Sequence, residues 1–250
     1  MAGLSIFGIQ GLPEITPGTD LAASIFEAGQ ASGTPLESGD ILVITSKIVS
    51  KAEGRIVKLE EVQVSPFARQ YAERTEKDPA IVELVLQESR RVVRQVGPIM
   101  ITETRHGFIC ANAGIDQSSS GGHGLAVLLP VDPDASCAKV RAALKQRGLD
   151  VAVIISDTFG RPWREAQTDI ATGRAGMHPV TVNGGGGAPP APGFGVQAFG
   201  PADEVAGAAE LVKGNLSRVP AAVVRGLPWE RDETATMQSI IRDSERDLFR

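Results

Sequence analysis

Short apolar runs of strand length alternate with segments of helical periodicity along most of the chain, and this alternation constrains the fold most strongly. Apolar runs of about four to eight residues are typical of buried strands, whereas apolar residues spaced at the helical period indicate one buried helix face. The sequence therefore predicts a mixed α/β fold of the α+β type. The predicted strands are 4–9, 41–45, 99–101, 107–110, 125–129, 151–155 and 221–225, and the clearest helices are 20–30 and 202–213.

Three further segments carry helix signals. Asp78 and Pro79 are the residue types that favour an N-cap and a first helical turn, and an apolar stripe follows them. Asp134 is predicted to cap another helix, which ends near Gly148. The segment from Thr234 to Arg250 has the pattern of a terminal helix with charged faces.

Three cations follow the predicted strand 41–45 at intervals of four residues, namely Lys47, Lys51 and Arg55. If this segment is helical, the three side chains share one face, where like charges repel unless an anion lies among them. The spacing therefore favours a phosphate chain as the ligand. The alternative is a solvated helix surface that Glu53 partly neutralises, and the spacing matches no P-loop.

Two aspartates are predicted at the ends of apolar strands, where a hard cation could bind. Asp116 ends the stretch A-N-A-G-I-D, and Asp157 with Thr158 ends a continuous apolar strand. Mg²⁺ and Mn²⁺ prefer oxygen ligands, and many α/β folds bind ligands beyond the carboxyl ends of their strands. Each aspartate could instead form a local turn or cap. With Arg161 and Arg164 close behind, the combination indicates a site for a metal and a polyphosphate.

Composition excludes several classes of function. The formal net charge is −5 and aromatic residues make up 4%, whereas a dedicated nucleic-acid binder is usually basic with interleaved aromatics. No signal peptide is apparent, and no apolar stretch approaches the roughly 18 residues of a membrane span, so we expect a cytoplasmic protein without a membrane partner. Cys110 and Cys137 have no C-x-x-C partner, which argues against a disulfide framework or a zinc cluster.

Five stretches of the sequence resemble the coenzyme F420-0:L-glutamate ligase family. They are G-L-P at 11–13, T-S-K-I-V-S-K-A-E-G-R at 45–55, E-T-R-H-G-F-I-C-A-N-A-G-I-D at 103–116, S-D-T-F-G-R-P-W-R at 156–164 and A-D-E-V-A-G-A-A-E-L-V-K-G at 202–214. Their order and approximate spacing agree with the family over nearly the whole chain.

The resemblance implies a GTP-dependent amide ligase that adds L-glutamate to a deazaflavin precursor of the coenzyme F420-0 type. In that chemistry the carboxylate of the precursor receives the γ-phosphoryl group of GTP, and the amine of glutamate then displaces phosphate from the acyl phosphate. A later glutamate is joined through the γ-carboxyl group. Cations are needed because the carboxylate and the phosphoryl group bring negative charges together.

The resemblance also implies which residues form the site, together with two divalent cations, Mg²⁺ or Mn²⁺, and a monovalent K⁺. The implied metal ligands are Asp116, Asp157, Thr158 and Asn215. The implied nucleotide contacts are Gln10, Gly11, Leu12, Pro13, Ser46, Lys47, Lys51, Ser119, Lys213, Gly214 and Asn215. The implied catalytic side chains are Lys47, Lys51, Arg161 and Arg164. The two arginines could also bind a substrate carboxylate or pair with nearby acids.

For the whole chain, the resemblance implies one ligase domain over residues 1–250, built from two intimately joined subdomains. It further implies an intertwined homodimer. We expect no C-terminal nitroreductase-like domain, because the sequence ends soon after W-E-R-D-E.

Three positions depart from the family pattern. Ser119 stands where asparagine is usual, Asn215 stands where glutamine is usual, and Gly184 to Gly195 is a low-complexity stretch that we predict to be a loop at the site. Two other functions therefore stay open, namely a nucleotide- and metal-binding relative with another carboxylate acceptor, and a metal-dependent phosphatase. The phosphatase would use Asp157 as its nucleophile, but the D-x-D-x-[TV] pattern of the common aspartyl-phosphate enzymes is absent.

Overall fold

The structure is a computed structural model that describes residues 3–117, 122–182, 198–214, 217 and 219–247. Ser119, Asn215 and the loop predicted over Gly184 to Gly195 lie outside the described residues, and so their predicted roles stay predictions.

Helices and strands alternate along the described chain. The helices are α1 (Leu21–Ala31), α2 (Ser46–Ala52), α3 (Pro66–Thr75), α4 (Pro79–Gln87), α5 (Pro133–Gln146) and α6 (Pro201–Lys213). The strands are β1 (Ser5–Gly8), β2 (Ile41–Thr45), β3 (Ile56–Lys58), β4 (Ser89–Val96), β5 (Ile99–Thr104), β6 (Ile109–Ala111), β7 (Leu125–Val127), β8 (Ala152–Arg161), β9 (Arg164–Met177), β10 (Thr181–Val182), β11 (Ala198–Phe199), β12 (Ala221–Arg225) and β13 (Arg231–Asp232).

A six-stranded mixed sheet with the order β1-β12-β2-β8-β9-β13 organises the fold. The pair β2–β8 is parallel, and the other neighbouring strands in this sheet are antiparallel. The central strands have continuous apolar runs rather than an alternating pattern because layers of helices cover both faces. This parallel pair brings the ends of β2 and β8 together, with Thr45 opposite Ser156.

Successive residues of β2 pack into different cores, because side chains alternate between the two faces of a strand. Leu42 and Ile44 belong to a cluster with residues of α1 and α5, whereas Ile41 and Val43 belong to a cluster with residues of α6. The sheet is therefore the middle layer of three. Because both faces of β2 are buried, packing against the two layers stabilises this short strand.

A third core cluster lies apart from those two clusters. It joins α3 and α4 to β5 and β7 through residues such as Tyr71, Val85, Met100 and Ala126. Two small sheets, β3–β7 and β4-β5-β6, complete this part of the molecule. The division into two subdomains and the intertwined homodimer remain predictions.

Most predicted elements are confirmed, and so is the mixed α/β class. The strands β2 and β12 have the predicted bounds, and the other predicted strands and helices, apart from the terminal helix, appear with shifted ends. Asp78 accepts a hydrogen bond from the backbone N–H of Ala80 at 2.8 Å and so caps α4 as predicted. Cys110 and Cys137 are both buried, free cysteines.

The predicted cap of α5 is wrong. Asp132 caps the helix by accepting a hydrogen bond from the N–H of Ala135 at 2.9 Å. Asp134 instead accepts hydrogen bonds from the N–H groups of Arg174 and Met237, both at 2.9 Å. The Asp134 carboxylate is used in these tertiary hydrogen bonds, and Asp132 caps the helix instead.

The end predicted for β8 is also wrong. The strand continues past Ile155 to Arg161 and turns into the long antiparallel strand β9, which the sequence did not predict. Asp157 and Thr158 therefore lie within a strand rather than beyond its end. Pairing with β9 satisfies their backbone groups, so polar side chains do not terminate the ladder.

The predicted terminal helix is wrong for the described part of that segment. Short 3-10 turns at Met237–Ile240 and Ser244–Arg246 replace it. The N–H of Met237 bonds to Asp134 rather than to a helical carbonyl, and the Met237 side chain is buried in the cluster with α6. Among the described residues, no helix has both the length and the apolar character that crossing a membrane requires.

Candidate functional site

The junction between β2 and α2 places Ser46 against Asp157. The Ser46 Oγ donates a hydrogen bond to the Asp157 Oδ1 at 2.9 Å, and both residues are buried. The contact exists because the parallel pairing of β2 and β8 sets the first residue of α2 beside the polar end of β8. Two predicted site residues that are 111 positions apart thus meet directly.

Burial raises the pKa of Asp157 from its ordinary 3.8 to about 6, although the Ser46 hydroxyl and the charge of Lys47 oppose the shift. The charge of Asp169 also raises this pKa, which indicates that a second carboxylate lies near. The ionised form of Asp157 is therefore short of compensating positive charge.

Lys47, the second residue of α2, forms an ion pair with Asp116 at 3.1 Å. Asp116 is held by two backbone hydrogen bonds to Val127, one in each direction, at 3.0 and 2.8 Å. This isolated bridge ties the A-N-A-G-I-D motif to β7. The aspartate predicted as a metal ligand thus lies beside the lysine predicted as a phosphate contact.

A left-handed turn precedes Asp116. Asn112, Ala113 and Gly114 have φ values of +50°, +54° and +69°, a conformation that costs energy for a residue with a Cβ. The side chain of Asn112 stabilises the turn by accepting hydrogen bonds from the Lys77 Nζ at 2.9 Å and the Met100 N–H at 3.3 Å. The strained turn sets the direction in which the chain reaches Asp116.

Lys51 connects α2 to the segment that follows the G-L-P turn. Its Nζ pairs with the Glu14 Oε1 at 2.7 Å. In the turn, Gly11 has a φ of +78° and Leu12 packs against the core, while Gln10 and Pro13 are exposed. The predicted nucleotide contacts at residues 10–13 therefore lie on a loop that is anchored next to a predicted phosphate contact.

Arg55 does not join the two lysines on one helix face, so that prediction is wrong. The helix α2 ends at Ala52, and Gly54 turns the chain away with a φ of +71°. Arg55 instead donates to the Leu129 carbonyl at 3.0 Å and pairs with Glu88 at 2.7 Å.

A second polar cluster lies across β8 and β9 and reaches α6. Asp169 is the cross-strand partner of Thr158, whose hydroxyl donates to the Asp169 Oδ1 at 2.7 Å. The other oxygen, Oδ2, accepts from the Ser156 hydroxyl at 2.7 Å and from the Lys213 Nζ at 2.8 Å. Lys213 also donates to Ser156 at 2.7 Å and lies 3.5 Å from Glu210.

This cluster is ionic despite its burial. Burial alone would raise the pKa of Asp169, but the charge of Lys213 and hydrogen bonds from Lys213, Thr158 and Ser156 together hold that pKa below its ordinary value. Burial and the nearby charge of Asp169 raise the pKa of Glu210. The cluster thus holds a fixed carboxylate and a fixed ammonium beside the cleft.

One cleft brings together four of the eleven predicted nucleotide contacts, namely Lys47, Lys51, Lys213 and Gly214. Its lining comprises Thr45, Lys47, Ile48, Lys51, Thr158, Asp169, Glu210, Lys213, Gly214, Val219 and Pro220. Next to residues of this lining, Asp157 accepts from the Ser46 hydroxyl and Asp116 pairs with Lys47. The lining therefore includes three lysines, Lys47 and Lys51 on α2 and Lys213 buried against Asp169, and such cationic side chains are suited to binding a polyphosphate.

The structure does not bring Arg161 and Arg164 into this cleft. They face each other across the β8–β9 hairpin and are both exposed. Arg161 lies three residue steps along the strand from Thr158, which is roughly 10 Å. Their catalytic role remains a prediction.

Sequence reasoning missed Asp169, Glu210, Ser156 and Glu14. For Asp169 the sequence did contain a signal. The stretch G-R-P-W-R has the composition of a turn between two strands, and Q-T-D-I-A-T-G, which follows it, contains a single acidic residue. Pairing the strands across that turn would have set Asp169 opposite Thr158. Glu210 was visible as the i,i+3 neighbour of Lys213 on the predicted helix, whereas the contacts of Lys213 with Ser156 and of Lys51 with Glu14 depend on tertiary structure.

The oxygen donors of the site fit a hard divalent cation. In the part of the chain that the structure describes, no group of three or more His, Cys, Asp or Glu side chains is placed to hold a metal ion. The donors are two carboxylates, Asp116 and Asp157, with the Thr158 hydroxyl, and Mg²⁺ and Mn²⁺ complete such sets with water. The raised pKa of Asp157 points the same way, since a cation would stabilise its ionised form.

Comparison with known proteins gives a consistent result. A family model described as F420-0:Gamma-glutamyl ligase matches residues 9–226. A protein of Methanothermobacter thermautotrophicus named coenzyme F420:L-glutamate ligase is 43% identical over 251 residues, with 99% of both chains covered. Proteins of the same name from Methanopyrus kandleri and Archaeoglobus fulgidus are 40% and 37% identical, covering 100% and 99% of this chain and 100% and 96% of theirs. The matched range includes every described residue of the cleft.

Proposed function

The chain belongs to the F420-0:gamma-glutamyl ligase family, and we propose that it uses GTP to activate its acceptor in the cleft lined by Lys47, Lys51 and Lys213. As a member of this family it is a ligase that adds glutamate in the formation of coenzyme F420. We propose a deazaflavin precursor of the coenzyme F420-0 type as the acceptor. The observation that carries the proposal is a cleft lined by three lysines, beside which Asp116 pairs with Lys47 and Asp157 accepts from Ser46.

The proposed reaction has two steps. First, a carboxylate oxygen of the acceptor attacks the γ-phosphorus of GTP, the bond to the β-phosphate oxygen breaks, and GDP leaves. Second, the amine of glutamate attacks the carbonyl carbon of the acyl phosphate, the C–O bond breaks, and phosphate leaves while the amine loses a proton. The product is an amide, so the phosphate released balances the water that direct condensation would form.

The lysines of α2 supply the charge that the first step needs. Each pairs with a carboxylate in the structure, Lys47 with Asp116 and Lys51 with Glu14. Since Glu14 is mostly exposed, exchanging it for a phosphate costs Lys51 little stabilisation. Charge-assisted contacts to phosphate hold the nucleotide and withdraw charge from the transferring group.

Asp116, Asp157 and Thr158 would hold the divalent cations, Mg²⁺ or Mn²⁺. Bound there, these ions would supply positive charge to the phosphate oxygens. The Ser46 hydroxyl donates to the Asp157 Oδ1 at 2.9 Å and so restricts the orientation of this carboxylate. Lys213 is the last residue of α6, and the N–H of Gly214, the residue before the predicted contact Asn215, donates to the Glu210 carbonyl at 2.9 Å.

The direct test is an assay of the purified protein with GTP, Mn²⁺, L-glutamate and the deazaflavin precursor, in which each component is omitted in turn and the product is followed by mass. We expect a mass gain of one or more glutamate residues that requires all four components. GTP hydrolysis at a rate that does not depend on glutamate would contradict the ligase chemistry and favour a phosphatase. Turnover with another carboxylate, but not with the deazaflavin, would reject the proposed acceptor.

A matched pair of variants tests the site. Asp157→Asn should abolish metal-dependent turnover while circular dichroism shows a folded protein. Asp203→Asn is the control, because burial also raises the pKa of Asp203, but Asp203 accepts from the N–H of Ala171, whereas Asp157 accepts from the Ser46 hydroxyl beside Lys47. Equal losses in both variants would remove Asp157 from the site.

A further inference from the structure

Asp169 divides its two carboxylate oxygens between different partners. Oδ2 faces the buried ammonium of Lys213 and the hydroxyl of Ser156, while Oδ1 accepts the hydrogen of Thr158 at 2.7 Å. Asp169 and Lys213 are both almost fully buried, with 4% and 2% of their surface exposed. The ion pair therefore holds the carboxylate in one orientation, with Oδ1 directed at Thr158.

This orientation decides which way the Thr158 hydroxyl presents itself. A hydroxyl has one hydrogen and two lone pairs. Because the hydrogen is directed at Asp169, the hydroxyl can present only lone pairs to the cleft. An oxygen in that state can accept from a donor or bind a cation, whereas a hydroxyl turned the other way would direct its hydrogen at the cation.

We propose that Asp169 is a positioning residue that orients the Thr158 hydroxyl as a ligand for a divalent cation, and that Lys213 holds Asp169 in the orientation this requires. The inference rests on the metal site of the proposed function and adds to it the residue that acts through Thr158. Carboxylates that orient a ligand from behind commonly change metal affinity by about 10- to 100-fold when they are replaced.

The variant Asp169→Asn tests the orientation of the Thr158 hydroxyl directly. The new amide keeps the shape of the carboxylate but has one oxygen and one NH₂ group. The ammonium of Lys213 attracts the oxygen, so the NH₂ group faces Thr158 and becomes a donor to it. The hydroxyl must then turn its hydrogen towards the cleft, where it opposes a cation.

The experiment is a double-mutant cycle read by Mn²⁺ binding without nucleotide, in which electron paramagnetic resonance follows free Mn²⁺. We expect Thr158→Val and Asp169→Asn each to weaken Mn²⁺ binding by about 10-fold or more. If Asp169 acts through Thr158, the double variant binds Mn²⁺ as weakly as Thr158→Val, within about threefold. Multiplying losses would overturn the proposal, because Asp169 would then act through its charge and not through Thr158.

Thr172→Val is the matched control. Thr172 is also a threonine of the β8–β9 pair, but its hydroxyl donates to the Ile155 carbonyl at 3.2 Å and it does not line the cleft. We expect its Mn²⁺ affinity to stay within about twofold of the wild type. A loss as large as that of Thr158→Val would overturn the proposal, because removing a threonine hydroxyl from these strands would then weaken Mn²⁺ binding without acting through Asp169.

Two further readouts keep the outcome interpretable. If Asp169→Asn does not fold, Asp169→Glu keeps the charge but displaces the oxygens, and the proposal requires weaker Mn²⁺ binding, whereas wild-type affinity overturns it. Wild-type Mn²⁺ affinity in Thr158→Val would remove Thr158 from the metal ligands and this inference with it. Failure of the proposed function is separate, since it shows as absent ligation by the wild-type protein in the presence of bound Mn²⁺.

Discussion

Asp157 is buried beside one hydroxyl and one partly exposed lysine, too little positive charge to offset its desolvation. Its pKa of about 6 in the folded protein lies above the ordinary 3.8, so the folded state binds this proton more tightly than the unfolded chain. The stabilisation from the protonated form is complete below about pH 4 and is lost as the pH rises through 6. The loss amounts to as much as about 3 kcal/mol.

The prediction is that Asp157→Asn flattens this part of the pH profile of stability. Without added metal, the free energy of unfolding of the variant should rise relative to that of the wild type between about pH 4 and 7, because asparagine carries no charge to desolvate. Urea denaturation at several pH values measures this difference. Parallel profiles for the two proteins would show that Asp157 does not titrate in this range.

Gly114 shows how backbone geometry supports the site. It ends the left-handed turn before Asp116 with a φ of +69°, and a Cβ there would lie 3.0 Å from the side chain of Leu129. Gly114→Ala should therefore destabilise the protein by about 2 to 4 kcal/mol, through strain and contact together, and weaken Mn²⁺ binding by displacing Asp116.

Gly33→Ala is the control for that strain. Gly33 has a similar φ of +75°, but no atom lies within 4 Å of the position of its Cβ. The cost should fall to about 1 to 2 kcal/mol, with unchanged Mn²⁺ affinity. Thermal or urea unfolding of both variants measures the two costs, and equal costs would mean that Leu129 gives way freely.

At the scale of elements, the end of α2 separates two cations that look equivalent in sequence. Lys51 lies on the helix and lines the cleft, whereas Arg55 follows Gly54 and faces Glu88. Lys51→Met should raise the KM for GTP by about 10-fold or more, because a charge-assisted phosphate contact contributes about 1.5 to 3 kcal/mol. Its effect on stability should be small.

Arg55→Met should show the opposite pattern. It removes a partly buried ion pair and a hydrogen bond to the Leu129 carbonyl, which we expect to cost about 1 to 3 kcal/mol of stability. The KM for GTP should change less than about twofold. A large KM effect in Arg55→Met would restore the three-cation phosphate site that the sequence suggested.

Elements were predictable where burial alone decides them. The strands β2 and β12 are uninterrupted apolar runs between polar boundaries, and their bounds were predicted correctly. The strand β9 was missed because its residues are small, polar or charged, and it exists through pairing with β8 along most of its length. The terminal segment has helical spacing at Met237 and Ile240, yet the partly buried carboxylate of Asp134 accepts the hydrogen bond of the Met237 N–H.

At the scale of the whole molecule, the cleft is assembled from parts that are remote in sequence. The helix α2 follows the central strand β2, and Thr158 and Asp169 face each other across the β8–β9 hairpin. Lys213 comes from α6, more than 40 residues later in the sequence than Asp169. Motifs identified Lys47, Asp157 and Lys213 separately. Only the parallel pairing of β2 with β8 and the packing of α6 on β9 show how they meet.

This assembly predicts a global response to ligands. Binding to the folded state at about 100 times the Kd stabilises it by about 2.7 kcal/mol. For a chain of 250 residues this corresponds to an increase in Tm of roughly 5 to 10 °C. Because the residues of the cleft come from several layers, we expect the protein to unfold in one transition, and we expect GTP with Mn²⁺ to raise the temperature of that single transition.

Differential scanning calorimetry measures that response, and variants assign it to the cleft. Lys51→Met should lose most of the shift caused by GTP, and Asp157→Asn should lose the part that depends on Mn²⁺, while Lys139→Met, an exposed lysine of α5 outside the cleft, should keep both. If all three variants kept the full shift, the nucleotide would bind elsewhere. Two resolved transitions, of which the ligands raise the temperature of only one, would contradict this expectation. The third core cluster would then unfold independently of the sheet, and the cleft would depend on only one of these two parts.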